Sequence, residues 1–181
     1  MEPVSLAELK SHLRVEDDDE DTLLRGLLTA ARLYVERAQR RSFVNTTWTW
    51  TLDEFPSGYL RPPRSPLSSV TSIAYVDTDG TSQTWDSDEY DVDTSVEPGR
   101  IEPAYGYSYP ATYDQMEAVT VTFVAGYGTA DDVPEATKVA IKMLVGHWYE
   151  HREAYTEVQG VSEVPFAVKA LIDIYAVVEA A

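Results

Sequence analysis

Three residues near the end of one helical stretch have types and spacing that could do chemistry: His147, Glu150 and His151. They fit the inverted zincin pattern, H-x-x-E-H. The chemistry would place both imidazoles on a zinc ion, with Glu150 activating a bound water. Residues four apart on a helix share a face, so the geometry is sound. A catalytic zinc also needs a third protein ligand, and the sequence beyond offers only acids without a spacing signal: Glu157, Glu163 and Asp173. The competing reading has His147 and Trp148 packing on neighbouring helices, with Glu150, Arg152 and Glu153 solvated or paired. On that reading no residue is catalytic, no metal or cofactor is held, and a small zinc hydrolase is the rival. Other chemistries lack their residues. Asp77-Thr78-Asp79-Gly80 lacks the spacing and terminal glutamate of an EF-hand and reads as a two-residue hairpin turn at Asp79-Gly80. There is no Gly-rich phosphate loop, no G-x-S-x-G elbow and no cysteine. His12 stands alone on the first helix.

The elements that would position these residues follow from periodicity. Ser5-Leu6-Ala7-Glu8 is a capping box opening a helix over 5–13. Glu16 to Asp21 is an acidic run, including Asp17, Asp18 and Asp19, that reads as a solvated loop at the positive end of the next helix dipole. That helix is predicted over 20–41. Its apolar face is Leu24, Leu27, Leu28, Ala31, Val35 and Ala38, and Arg37, Arg40 and Arg41 sit in its last turn. At Asn45 the period changes from 3.6 to 2. Strands are predicted at 47–52, 70–76, 81–85, 90–92, 100–102 and 118–124, forming one small, mostly antiparallel sheet. Tyr105 to Tyr113 is an aromatic loop, with Tyr107 and Tyr109 as candidate contacts. A third helix of about 21 residues, capped by Asp132, would run its stripe through Val133, Ala136, Ala140, Met143, Leu144, His147 and His151. Val164-Pro165 opens a fourth helix through Ala181. The fold class is α+β. Residues 1–44 and 129–181 supply four helices of one unit, and 45–128 form an inserted antiparallel β domain.

Composition narrows the function classes. The chain has 181 residues, 44% of them hydrophobic, and a net charge of −17. Such a charge repels nucleic-acid phosphates and anionic membranes, which argues against sequence-specific DNA binding. It suits a surface that DNA passes without adhering. The N-terminus lacks the basic and apolar regions of a signal peptide, and no apolar run approaches membrane-spanning length.

Several ordered segments resemble the larger, β-containing branch of the phage head–tail connector, or adaptor, proteins. They are Val4-Ser5-Leu6-Ala7-Glu8, Leu13-Arg14-Val15 before acids, Pro66 to Ile73 before an Asp-Gly turn, Gly99-Arg100-Ile101, and Phe123 to Gly128. Val133-Pro134, His147-Trp148-Tyr149-Glu150 with Arg152-Glu153, and Val164-Pro165 before Leu171 complete the set. His151 and Ala176 depart from the pattern. The resemblance implies a structural protein, made in the bacterial cytoplasm and residing at the head–tail interface of a virion or a phage-like particle such as a gene transfer agent. It implies a dodecameric ring beneath the portal, contact with a head-completion (stopper) or tail protein, and DNA in transit. Ring subunits need lateral interfaces, in which aromatics and arginine are enriched. The candidate contact residues are Asp17, Asp18, Asp19, Arg37, Arg40, Arg41, Tyr107, Tyr109, Trp148, Tyr149, Arg152, Phe166, Leu171, Ile174 and Tyr175. The terminal segment 166–181 carries more apolar residues than one small core can face, and is expected to dock on the portal.

Overall fold

A computed structural model describes residues 2–151 and 164–177. The chain divides into two compact units, one formed by Asn45–Tyr127 and the other by the segments before and after it.

The helical unit begins with α1 (Leu6–Leu13), which opens on the capping box: Ser5 Oγ accepts from the Glu8 amide at 3.2 Å, and the Ser5 amide donates to the Glu8 carboxylate at 2.7 Å. α2 (Asp21–Gln39) has no side-chain cap and relies on acids near its positive end. It ends at Arg40 in the left-handed region, φ 55°. Its buried stripe is Leu24, Leu28, Ala31, Val35 and Gln39. Ala38, expected in that stripe, is exposed; the stripe steps by four from Val35 to Gln39, whose side-chain amide donates to the Ile172 carbonyl.

α3 (Glu135–Glu150) has 16 residues rather than about 21, because His151 already leaves helical geometry at φ −116° and ψ 71°. Asp132 does not cap it. The Asp132 carboxylate accepts from the Thr129 amide at 2.8 Å and its hydroxyl at 2.7 Å, and Pro134 occupies the cap position. The buried face is Thr137, Lys138, Ala140, Ile141, Leu144 and Val145, rotated from the expected stripe through Ala136, Met143 and His147. Glu135, Lys138, Lys142 and Glu150 share one sector of α3 and apolar residues spread over the remaining sides, so periodicity alone does not choose the buried face. Branched Ile141 and Val145 fill the core instead. α4 (Phe166–Asp173) is a short helix burying Val168 and Ile172. It stops at Asp173 instead of running on as one helix, and residues 178–181 lie outside those described.

The β unit contains β1 (Thr46–Leu52), β2 (Leu67–Val76), β3 (Ser82–Thr84), β4 (Tyr90–Asp93), β5 (Arg100–Pro103) and β6 (Val119–Ala125). They make two sheets, not one: an antiparallel sheet in the order β1-β6-β2-β3 and a β4-β5 ribbon. Leu60 bridges to Ile101 at the ribbon's edge. The split follows from two segments that cannot join a ladder, the proline-rich stretch 61–66 and the short 3-10 turn Ser87–Glu89. The expected two-residue turn is a five-residue loop, since Val76 pairs with Ser82. Asp77 organises it by accepting from the Asp79 and Thr81 amides at 3.0 and 2.9 Å.

Strict alternation on β6 sends Val119, Val121, Phe123 and Ala125 inward. They meet Leu60, Leu67, Ile73, Trp85 and Ile101. Gly99 is required where the ribbon meets β2, because a Cβ there would lie 2.5 Å from the Leu67 Cβ.

Candidate assembly surfaces

The end of α2 is tied to the segment after α4 by side-chain-to-backbone bonds. Gln39 Nε2 donates to the Ile172 carbonyl at 3.0 Å, Arg41 Nε donates to the Tyr175 carbonyl at 2.6 Å, and the Val177 amide donates to the Gln39 carbonyl at 3.1 Å. Gln39 is wholly buried and Arg41 nearly so. Arg37, Arg40 and Arg41 therefore do not form one basic patch. Arg41 is structural, while Arg37 and Arg40 face solvent.

Asp17, Asp18 and Asp19 are exposed. Lys10 of α1 reaches across to Asp18 at 2.5 Å and to Asp21 at 2.9 Å. These bonds favour the charged forms of both partners, holding the Asp18 carboxyl below its ordinary range and raising the Lys10 ammonium. Part of the acidic run thus clips α1 to α2.

The aromatic end of α3 is largely engaged within the subunit. Trp148 meets Tyr34 of α2 edge to face at 6.3 Å, and the Tyr149 hydroxyl donates to the Glu20 carboxylate. The His147 and His151 rings lie 4.8 Å apart, but His151 Nδ1 faces the His147 carbonyl at 3.0 Å. That contact occupies one ring nitrogen of the pair. Among the described residues no group of three or more His, Cys, Asp or Glu is placed to hold a metal. Arg152 lies outside the described residues.

The tyrosine loop divides its aromatics by depth. Tyr105 is fully exposed, and Tyr107, Tyr113 and Met116 also face outward. Tyr109 turns in. It stacks on Phe55 at 5.1 Å and 18°, and its hydroxyl donates to the Gly58 carbonyl at 2.7 Å. Burial pushes that hydroxyl's pKa up. Tyr109 is therefore the anchor that presents Tyr107. On α4, Phe166 is 86% exposed and Ile174 60%, while Leu171 and Tyr175 are half-buried.

One feature of the β unit escaped the sequence reading. Arg61, Arg64 and Arg100 are its only cations between Asn45 and Tyr127, and each lies over an aromatic ring. Arg61 and Arg100 flank Tyr59 at 5.6 and 4.8 Å, and Arg64 covers Trp48 at 4.6 Å. Arg100 also pairs with Asp93 at 3.0 Å. The only sequence signal was the scarcity of cations in an acidic, aromatic stretch.

A family model described as phage gp6-like head-tail connector protein matches residues 3–98. No curated protein matches the chain. Three solved structures share its fold. A chain in the neck of an empty GTA particle, computed with C6 symmetry, is 24% identical with a TM-score of 0.81, covering 99% of this chain and 92% of that one. One in the neck of a native GTA particle, computed with C12 symmetry, is 22% identical with a TM-score of 0.76, covering 97% and 90%. A third, in the virion of a native gene transfer agent particle, is 23% identical with a TM-score of 0.79, covering 99% and 92%. No described helix is long and apolar enough to cross a membrane.

Proposed function

The chain belongs to the phage gp6-like head-tail connector family, and from that premise we propose that it forms a dodecameric ring beneath the portal of a tailed phage or gene transfer agent. It is a structural part and not an enzyme. The ring extends the DNA channel and offers a docking surface to the next head-completion or tail component. The observation that carries this reading is the family match over residues 3–98. A whole-chain likeness to a protein of a GTA neck computed with C12 symmetry supports it. A net charge of −17 also fits a channel part, since acids along the DNA path disfavour phosphate adhesion. Each lateral contact in such a ring is heterologous, one patch meeting a different patch on the next copy. Asp17, Asp19, Arg37, Arg40, Tyr105 and Tyr107 are the exposed polar and aromatic groups we assign to these contacts or to the partners above and below.

The test is imaging of particle necks from a host making the wild-type chain, alongside a host lacking it. Twelve copies beneath the portal, and heads without tails in the deletion, are expected. Necks whose averaged density has no place for this chain would sink the proposal. Metal analysis separates the rival zinc hydrolase. Well below one zinc per chain is expected, whereas stoichiometric zinc lost on His147→Ala would favour the rival.

A further inference from the structure

The β unit sets three arginines against thirteen acids between Asn45 and Tyr127. Leu60 and Ile101 exchange both backbone hydrogen bonds at 2.9 Å, so Arg61 and Arg100 stand directly opposite each other beside that bridge. Like charges so placed repel. Asp93 relieves one of them: its carboxylate accepts from Arg100 Nε at 3.0 Å and lies 3.0 Å from Nη2. Arg61 stays exposed. Its guanidinium lies 5.6 Å from the centre of the Tyr59 ring, itself 39% exposed. Arg64 follows after Pro62 and Pro63 and lies 4.6 Å from the centre of the Trp48 ring. Neither Arg61 nor Arg64 has an ion-pair partner among the described residues.

Stacking uses the face of a guanidinium and leaves its N–H edge free, a fork matched to a carboxylate. The rings hold the two side chains and the prolines stiffen the backbone between them, so little freedom is left to lose on binding. The helical unit carries the opposite excess. Glu16, Asp17 and Asp19 are exposed, close in sequence and of like charge, and none has an ion-pair partner among the described residues; Asp18 between them is taken up by Lys10. Copies of net charge −17 repel one another. A seam between them is favoured where unpaired cations of one copy meet unpaired acids of the next. On the β unit the arginine shelf is the place for such a seam.

We propose that Arg61 and Arg64 take the carboxylates of Glu16, Asp17 and Asp19 of the next copy. This rests on the ring reading. Shelf and acid run are two different patches of one chain, so the contact is head to tail and repeats around a closed ring.

Arg61→Lys keeps the charge and puts an amine on the shelf. Full chain carrying it, mixed from equal heavy- and normal-isotope halves and loaded on portal-bearing heads, is treated with a zero-length carbodiimide, which couples an amine to a carboxylate it touches. Mass spectrometry should find position 61 joined to Glu16, Asp17 or Asp19 in mixed-isotope pairs. The wild-type chain, without an amine there, should lack that link. Arg61→Glu should cut the copies retained per head at least tenfold with the melting temperature unchanged, because the side chain is exposed. Asp17→Arg with Asp19→Arg in that chain should restore them. No link, links within one copy alone, a link from position 61 to a portal or tail carboxylate, or retention indifferent to Arg61→Glu would each overturn the assignment. Particle imaging keeps the two proposals distinct: a twelvefold neck without the link retains the ring and rejects this contact, whereas a neck without the ring removes the premise.

Discussion

The two units are stabilised in different ways. The β unit is held by a dense interior: a four-stranded ladder over a cluster in which Trp85, Phe55, Tyr90 and Tyr109 touch ring to ring at 5.0 to 5.5 Å. The helical unit gathers segments from both ends of the chain, and its last helix packs on α3 and is bonded to the end of α2. α4 buries two side chains and receives hydrogen bonds at Ile172 and Tyr175 from the end of α2. Mutations should therefore be costly and cooperative in the first unit, and local in the second.

The sharpest way to break the comparison is to remove the centre of the aromatic cluster. Trp85 is 2% exposed. Trp85→Ala should cost about 3–5 kcal/mol, the usual range for a large buried aromatic. Urea unfolding followed by near-ultraviolet circular dichroism would show it. Trp85→Phe should cost much less, since the indole Nε1 is buried without a hydrogen-bond partner and its loss leaves nothing unsatisfied. Equal losses for the two variants would contradict the packing account.

The contrast also explains what could be read from the sequence. The capping box and the alternation at Val119 to Ala125 were legible, because each is fixed by local geometry alone. The α3 face was not, because apolar residues on several sides leave its orientation to the partners. Nor could the sequence reveal that Gln39 belongs inside. Its burial depends on a carbonyl at Ile172, 133 residues away. Tyr109 was legible as aromatic but not as the inward member of its loop. Depth there is set by Phe55 and Gly58, which come from another part of the chain. The pairs of Arg64 with Trp48 and of Arg100 with Tyr59 were hidden for the same reason: each joins segments that meet only after folding.

Gln39 offers the intermediate test, in the helical unit. Gln39→Ala removes a buried donor to the Ile172 carbonyl, which keeps a long backbone bond from Tyr175 at 3.4 Å, a loss of about 0.5–1.5 kcal/mol. Its signature should be local. Hydrogen exchange in Phe166–Asp173 should accelerate while the strands of the β unit keep their protection. Uniform acceleration across both units would show that α4 is not separately held.

The smallest expected effect compares the units through their hydrogen-bonded carboxylates. In the helical unit, Glu8 is lowered by the Ser5 hydroxyl, Asp18 by Lys10, and Asp132 by the Thr129 amide. In the β unit, Asp77 is lowered by Gln83 and Asp93 by Ser95. The ordinary values are 4.5 for Glu8 and 3.8 for the aspartates. Each group is depressed in the folded chain, so the unfolded chain takes up protons first as pH falls. The stabilisation is therefore complete above the ordinary values and is lost as pH drops through the folded ones, in a window beginning at about pH 4. Lys10, raised by Asp18 and Asp21, acts in the opposite direction and loses its contribution only above 10.5. Urea midpoints should fall on acidification. Asp132→Asn should lower the midpoint at neutral pH, with the gap from wild type closing as the wild-type carboxylate protonates. Asp77→Asn should behave alike, but for the β unit's transition alone. Variant and wild-type curves that stay parallel through the acid limb would show that the caps contribute shape, not charge. Glu8, Asp18 and Asp132 are exposed and Asp77 and Asp93 only half-buried, so added salt should shrink the gap further.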